Sequence, residues 1–120
     1  MINKPAKETN IRLPVAALIC VLLLLPLAAA GAHAGSEHVI SQKGKKFSPG
    51  QIDIKVGDTL TFINDDKRRH NIYSKTPGQT FNIRKQSPGA RDSITFDDSG
   101  TVEVRCAIHP KMRLVVNISE

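Results

Sequence analysis

The segment Val104-Arg105-Cys106-Ala107-Ile108-His109-Pro110-Lys111-Met112-Arg113-Leu114 places a thiol, an imidazole and a thioether in one short stretch. Apolar residues alternate on both sides of it. Cys106 is in phase with Val102 and Val104, and Met112 with Leu114, Val116 and Ile118. Successive side chains of an extended chain point to opposite faces, so both sulfurs are expected to face the same interior. The few residues between them leave room only for a tight hairpin connection, with His109 midway. A second imidazole, His70, follows a charged loop and opens a strand-like segment in phase with Ile72. It can therefore turn inward at the end of the same scaffold.

Two imidazoles, one thiolate and a weak thioether form the ligand set of a blue-copper electron-transfer site. Thiolate and thioether stabilise Cu(I), and imidazole accepts both oxidation states. A rigid β frame keeps the geometry nearly constant between them. Four donors leave no open position for a substrate, so an enzyme is not expected. Taken singly, each residue has a plainer explanation. A lone Cys or Met in a strand is ordinarily core, and a lone His is ordinarily a surface group or a satisfied polar one. Only their conjunction points to one copper ion on His70, Cys106, His109 and Met112. The same four residues would also serve a copper-storage or copper-delivery protein of the cell envelope. A metal-free β-sandwich interaction module is a third possibility. A dinuclear centre lacks the second cysteine it needs near Cys106, and an inward-facing thiol is a poor nucleophile for a catalytic Cys–His pair.

The surrounding pattern is strand-like throughout. Ile52, Ile54 and Val56 alternate with polar residues before the turn at Gly57-Asp58, and Leu60 and Phe62 alternate with threonines. Phe81 and Ile83, then Ile94 and Phe96, repeat the period, with breaks at Pro88-Gly89 and Asp98-Ser99-Gly100. Period-two patterning with frequent turn signals predicts an all-β sandwich or barrel. No stretch after residue 35 carries a helical period, and there are no repeats. Such a small core would gain from a metal cross-link.

The first third of the chain reads differently. Lys4, Lys7 and Arg12 precede an uncharged apolar run from Leu13 to Ala30, and Ala32-His33-Ala34 fits a signal-peptidase site. Residues 1–34 are therefore expected to be a signal peptide and residues 35–120 an exported, periplasmic domain that leaves the membrane on cleavage. An uncleaved anchor is the alternative, made less attractive by Pro14 and Pro26. Loss of the leader removes Cys20 and leaves Cys106 without an internal partner. An unpaired thiol in an oxidising compartment is buried, bridged to another chain, or held as thiolate.

The chain has 17 basic and 11 acidic residues, and the domain remains moderately basic after the leader is removed. Basic residues gather at Lys43-Gly44-Lys45-Lys46, Lys67-Arg68-Arg69 and Arg84-Lys85. With no tryptophan, one tyrosine and no nucleic-acid motif, these predict solvated loops first and a handle for an acidic protein second. Nucleic acid is not an expected partner. His38 is expected to have no specific role.

Cys106-Ala107-Ile108-His109-Pro110-Lys111-Met112, with His70-Asn71 upstream, resembles the type 1 copper motif of the small cupredoxins. Its short C-x-x-H-x-x-M spacing with Pro110 is most similar to the amicyanins, and Phe47-Ser48-Pro49 with the strand pattern from Ile52 to Phe62 resembles the family's early strands. The resemblance covers roughly residues 38–118. It implies a cupredoxin-like Greek-key β-sandwich of two sheets and about seven to eight strands. It further implies a monomeric one-electron carrier with His70, Cys106 and His109 as strong ligands and Met112 as the long axial one. Asn71 would steady the ligand loop and donate to the cysteine sulfur. Redox partners would dock near His109, within a small patch of Ala107, Ile108 and Pro110. Val104 departs from the family, which often has an aromatic residue there. Lys111 and Lys67-Arg68-Arg69 add charge beside the patch, which favours an acidic partner and salt-sensitive association.

Overall fold

The computed structural model describes residues 34–120. The leader expected over residues 1–34 therefore lies, apart from Ala34, outside the described residues. Nine strands follow in order: β1 (Glu37–Lys43), β2 (Lys46–Ser48), β3 (Gln51–Lys55), β4 (Thr59–Asn64), β5 (His70–Ser74), β6 (Phe81–Gln86), β7 (Arg91–Thr95), β8 (Gly100–Arg105) and β9 (Arg113–Ser119). They form two sheets, ordered β2-β1-β4-β7 and β3-β9-β8-β5-β6. The chain changes sheet at β2–β3, β3–β4, β4–β5, β6–β7 and β7–β8, so most consecutive strands lie in opposite sheets. β1 pairs with β4 and β3 with β9 in parallel; the other pairs are antiparallel. The expected all-β sandwich is present, and the three-residue β2 adds to the strand count.

The alternation read from the sequence becomes the core. Leu60 and Phe62 of β4, Ile72 of β5, Val102 and Val104 of β8, and Leu114 and Val116 of β9 are all fully buried. Each buried side chain of this size contributes about 1.5–3 kcal/mol through apolar area removed from water. Phe47 packs edge-on to Phe62 at 6.0 Å, and Phe81 to Phe96 at 6.2 Å, the geometry that aromatic quadrupoles favour. A polar strut also crosses the interior. Gln42 of β1 donates to Gln86 Oε1 of β6, and Gln86 Nε2 donates onward to Phe62 O at 2.9 Å and Asp92 Oδ2 at 3.0 Å.

Two turns anchor the four-stranded sheet. β1 and β2 are joined by Gly44 and Lys45, with φ of 61° and 57°, while Lys43 pairs with Lys46. Positive φ at both central residues is the primed hairpin turn whose twist matches its flanking strands. Immediately before β4, Asp58 is buried and gathers the N-terminal segment. Ser36 N donates to its Oδ1 at 2.7 Å and Lys55 N to its Oδ2 at 3.0 Å. His38 Nε2 lies 3.0 Å from the same carboxylate, which corrects the expectation that His38 has no role. Its ring reaches Asp58 because β1 runs parallel to β4, with His38 opposite Leu60.

Candidate metal centre

β5, the β8–β9 connection and the loop from Asp65 to Arg69 meet at one end of the sandwich. His70 is the first residue of β5 and has no exposed surface. The β5–β6 ladder shifts register between His70 and Ile72: β5 advances two residues while β6 runs three, from Gln86 to Ile83, so β6 carries the extra residue opposite Asn71. A bulge re-aims side chains at a sheet end. Strict alternation puts Asn71 opposite in phase to His70 and Ile72, yet all three are buried. Asn71 fills the bulge. Its Nδ2 lies 2.8 Å from Asn82 Oδ1, 3.0 Å from Ile83 O and 2.9 Å from Arg84 O. Its Oδ1 accepts Ala107 N–H at 3.0 Å, and its own N–H points at Cys106 Sγ at 3.3 Å. One residue thus ties the bulge to the cysteine loop at two points.

Cys106 directly follows β8, in phase with its buried Val102 and Val104, and is itself fully buried, with no disulfide. His70 Nδ1 lies 3.9 Å from its sulfur and 3.1 Å from His109 Nδ1. Both distances are shorter than two metal bonds of about 2.0–2.3 Å laid end to end. One ion can therefore reach across each pair, and the three donor atoms all lie within 4.8 Å of one another. Met112 is 1% exposed, in the same core cluster as Cys106, and its N–H donates to His109 O at 2.9 Å, which closes the turn carrying the imidazole. Three of the four expected residues thus converge through their donor atoms, and the fourth is buried at the foot of the same loop.

The protonation of the site follows from its neighbours. His70 Nε2 lies 3.0 Å from Asp66 Oδ2, a carboxylate that only accepts, so Nε2 carries the proton, and in the neutral ring Nδ1 offers its lone pair. Lys45 N–H, the largest influence, and His70 hold Asp66 below the usual carboxylate range, which keeps it charged. Burial pushes His109 below its ordinary value, helped by His70, Lys45 and Arg68, so its Nδ1 is also available as a neutral donor. Asp66 was not among the expected site residues. Its position four before His70, in a loop that must bend to deliver that histidine, is the one hint in the sequence.

Residues 35–119 match the family described as copper binding proteins, plastocyanin/azurin family. Amicyanin of Paracoccus denitrificans is 34% identical over 92 residues, which span 73% of this chain and 69% of that protein. The methylamine utilization protein MauL of Methylorubrum extorquens is 33% identical over 72 residues, 59% of this chain and 62% of its own length. Among solved structures, a purple cupredoxin from Nitrosopumilus maritimus superposes with a TM-score of 0.61 at 29% identity, over 68% of this chain and 98% of that one. A reduced mutant of amicyanin does so at 0.64 and 27%, over 72% and 84%. With a His-Cys-His donor set, two of its members buried, at the end of the matching sandwich, the chain belongs to the plastocyanin/azurin family of copper-binding proteins, and its cofactor is one copper ion.

Proposed function

We propose that the protein is an exported, periplasmic carrier of single electrons, with copper held by His70, Cys106 and His109 and more weakly by Met112. The observation that carries this is the convergence of two Nδ1 atoms and one thiol sulfur within 4.8 Å inside a rigid sheet end. The bound copper supplies reversible one-electron chemistry between Cu(II) and Cu(I). The chain supplies everything else. Asp66 and Asn71 hold His70 and Cys106 in place before and after electron transfer, so little reorganisation is needed. The Asn71 N–H bears on the sulfur and tunes the electron density there. His109 is partly exposed, whereas His70 and Cys106 are buried, so electrons would pass to a redox partner through the edge of His109. Export is supported by the basic start, apolar run and Ala-x-Ala pattern of residues 1–34.

The test is spectroscopic. One equivalent of Cu(II) is expected to give an intense absorption near about 600 nm, bleached by reductant and restored by oxidant, because Cu–thiolate bonding is strong in such sites. Colourless Cu(I) binding, readily surrendered to a chelator, would establish copper delivery instead. Failure to bind at all would leave an exported β domain.

A further inference from the structure

The edge of His109 lies at the floor of a groove of about 490 Å³, together with Ile108 and Pro110. Ile108 is 48% exposed, one of two large apolar side chains so exposed among the described residues. The rim comes from elsewhere in the sequence: Lys45 and Lys46 at the β1–β2 turn, and Lys111 beside the floor. No acidic side chain lines this groove. The nearest loop carboxylates are already occupied, Asp65 by Ser41 Oγ at 2.5 Å and Asp66 by His70 and Lys45 N. Among the described residues Lys45, Lys46 and Lys111 enter no ion pair, whereas Arg105 and Arg113, farther along the same hairpin, both pair with Glu103.

The rim is also fixed in place. Lys45 sits at φ 57° in a two-residue primed turn, and its N–H is pinned to Asp66 Oδ2 at 3.2 Å. The backbone that carries Lys45 and Lys46 is therefore set in position before any partner arrives, which lowers the ordering cost of association. We infer that the Gly44–Lys46 turn is the recognition element for an acidic redox protein. Its carboxylates meet Lys45, Lys46 and Lys111 while an apolar patch covers Ile108 and Pro110. This rests on the carrier reading above and specifies its partner by charge. A nucleic acid fits less well, because no Phe, Tyr or Trp lines the groove to give a base a stacking platform.

The experiment measures electron transfer by stopped flow, using reduced plant-type ferredoxin as an acidic protein probe and a basic mitochondrial cytochrome c as its opposite. The copper-loaded protein is compared with a Lys45→Glu/Lys46→Glu variant. The control is Lys55→Glu/Lys75→Glu, which makes the same change in net charge at exposed sites outside the groove. At low salt the turn variant is expected to slow transfer from ferredoxin by about tenfold or more, and to speed transfer with the basic cytochrome. The control changes either rate by less than about twofold, and the effect fades above about 0.2 M salt. Equal slowing by both variants would mean that net charge alone acts, and would overturn the proposal. So would unchanged rates, or a DNA duplex that binds through the turn at physiological salt with no ferredoxin effect. Each variant must first show the copper–thiolate absorption of the parent. If the parent itself lacks that absorption, the carrier reading fails, and the failure is visible before any rate is measured.

Discussion

Two histidine–carboxylate pairs of equal length, 3.0 Å, sit at opposite ends of β4: His38 with Asp58 before the strand, and His70 with Asp66 after it. Both carboxylates lie below their ordinary range because backbone N–H groups and a histidine favour their charged form. The local chemistry is nearly the same, and the outcomes differ. His38 is about a third exposed (31%), and its pairing fastens the N-terminal strand to the turn at Asp58. His70 has no exposed surface, and its other nitrogen faces Cys106 Sγ and His109 Nδ1. A carboxylate orients an imidazole in either place. What the second nitrogen meets decides whether the orientation is structural or functional.

The comparison breaks most sharply at the sulfur. Cys106→Ser is expected to abolish the intense visible absorption entirely, since an alcohol cannot supply the thiolate bond on which it depends. The serine protein should keep its far-ultraviolet circular dichroism, and the absorption spectrum of the copper-loaded protein is the check. The next largest effect is at Asp66. Replacement by Asn removes the charge that fixes His70 and is expected to weaken copper binding by about 10–100-fold while leaving the protein coloured. Competition with a chelator measures this. Unchanged affinity would mean that packing alone orients the ring.

How much of this was legible in the sequence follows from where each residue lies. Cys106, His109 and Met112 share one loop between two cleanly alternating strands, so chemistry and phase point the same way. His70 was legible because Ile72 marks its phase. Asn71 was not placed by pattern, since alternation points it away from the core and the extra residue that receives its side chain lies on β6, between Ile83 and Gln86; only its family resemblance flagged it. Asp66 lies in a loop, where no period operates. Asp58 read as a turn residue beside Gly57, and its role depends on Ser36 and His38 folding back from 22 and 20 residues away. Gln42 and Gln86 gave no signal in the sequence, yet both are buried, because Gln42 donates to Gln86 Oε1 across the sheets and Gln86 Nε2 donates onward to Phe62 O and Asp92. Local pattern finds the core and the soft ligands. Contacts distant in sequence escape it.

At the far end of β4 the expected effects are on stability alone. Asp58→Ala removes an acceptor shared by Ser36 N, Lys55 N and His38, and is expected to lower the melting temperature by several degrees without altering the copper absorption. The pH dependence has a definite sign. The folded carboxyl is held below its ordinary 3.8, chiefly by the Lys55 N–H and then by His38 and Ser36. On acidification the unfolded chain takes up the proton first, so Asp58 stabilises the fold fully above about pH 4 and progressively less below it. The gap in melting temperature between parent and Asp58→Ala should therefore be wide at pH 6 and narrow as pH falls below 3.8. Asp66 and Glu103, also lowered, are common to both proteins and cancel in the difference. A gap independent of pH would show that the lost contacts act through shape and not through charge.

The smallest effect belongs to His38, where the comparison is most exacting. His38→Ala leaves both backbone donors on Asp58, so the carboxylate keeps its two fixed partners and loses only the partly exposed ring. Exposed ion pairs contribute little, because solvent screens them and the side chain loses freedom in forming them. The expected drop in melting temperature is under about half that of Asp58→Ala, with the copper absorption and chelator competition unchanged. His70→Ala makes the contrast, since it cuts one carboxylate pair of the same length and should abolish the normal copper spectrum. If His38→Ala perturbs that spectrum too, the two ends of β4 are coupled, and the separation between a structural and a functional imidazole fails.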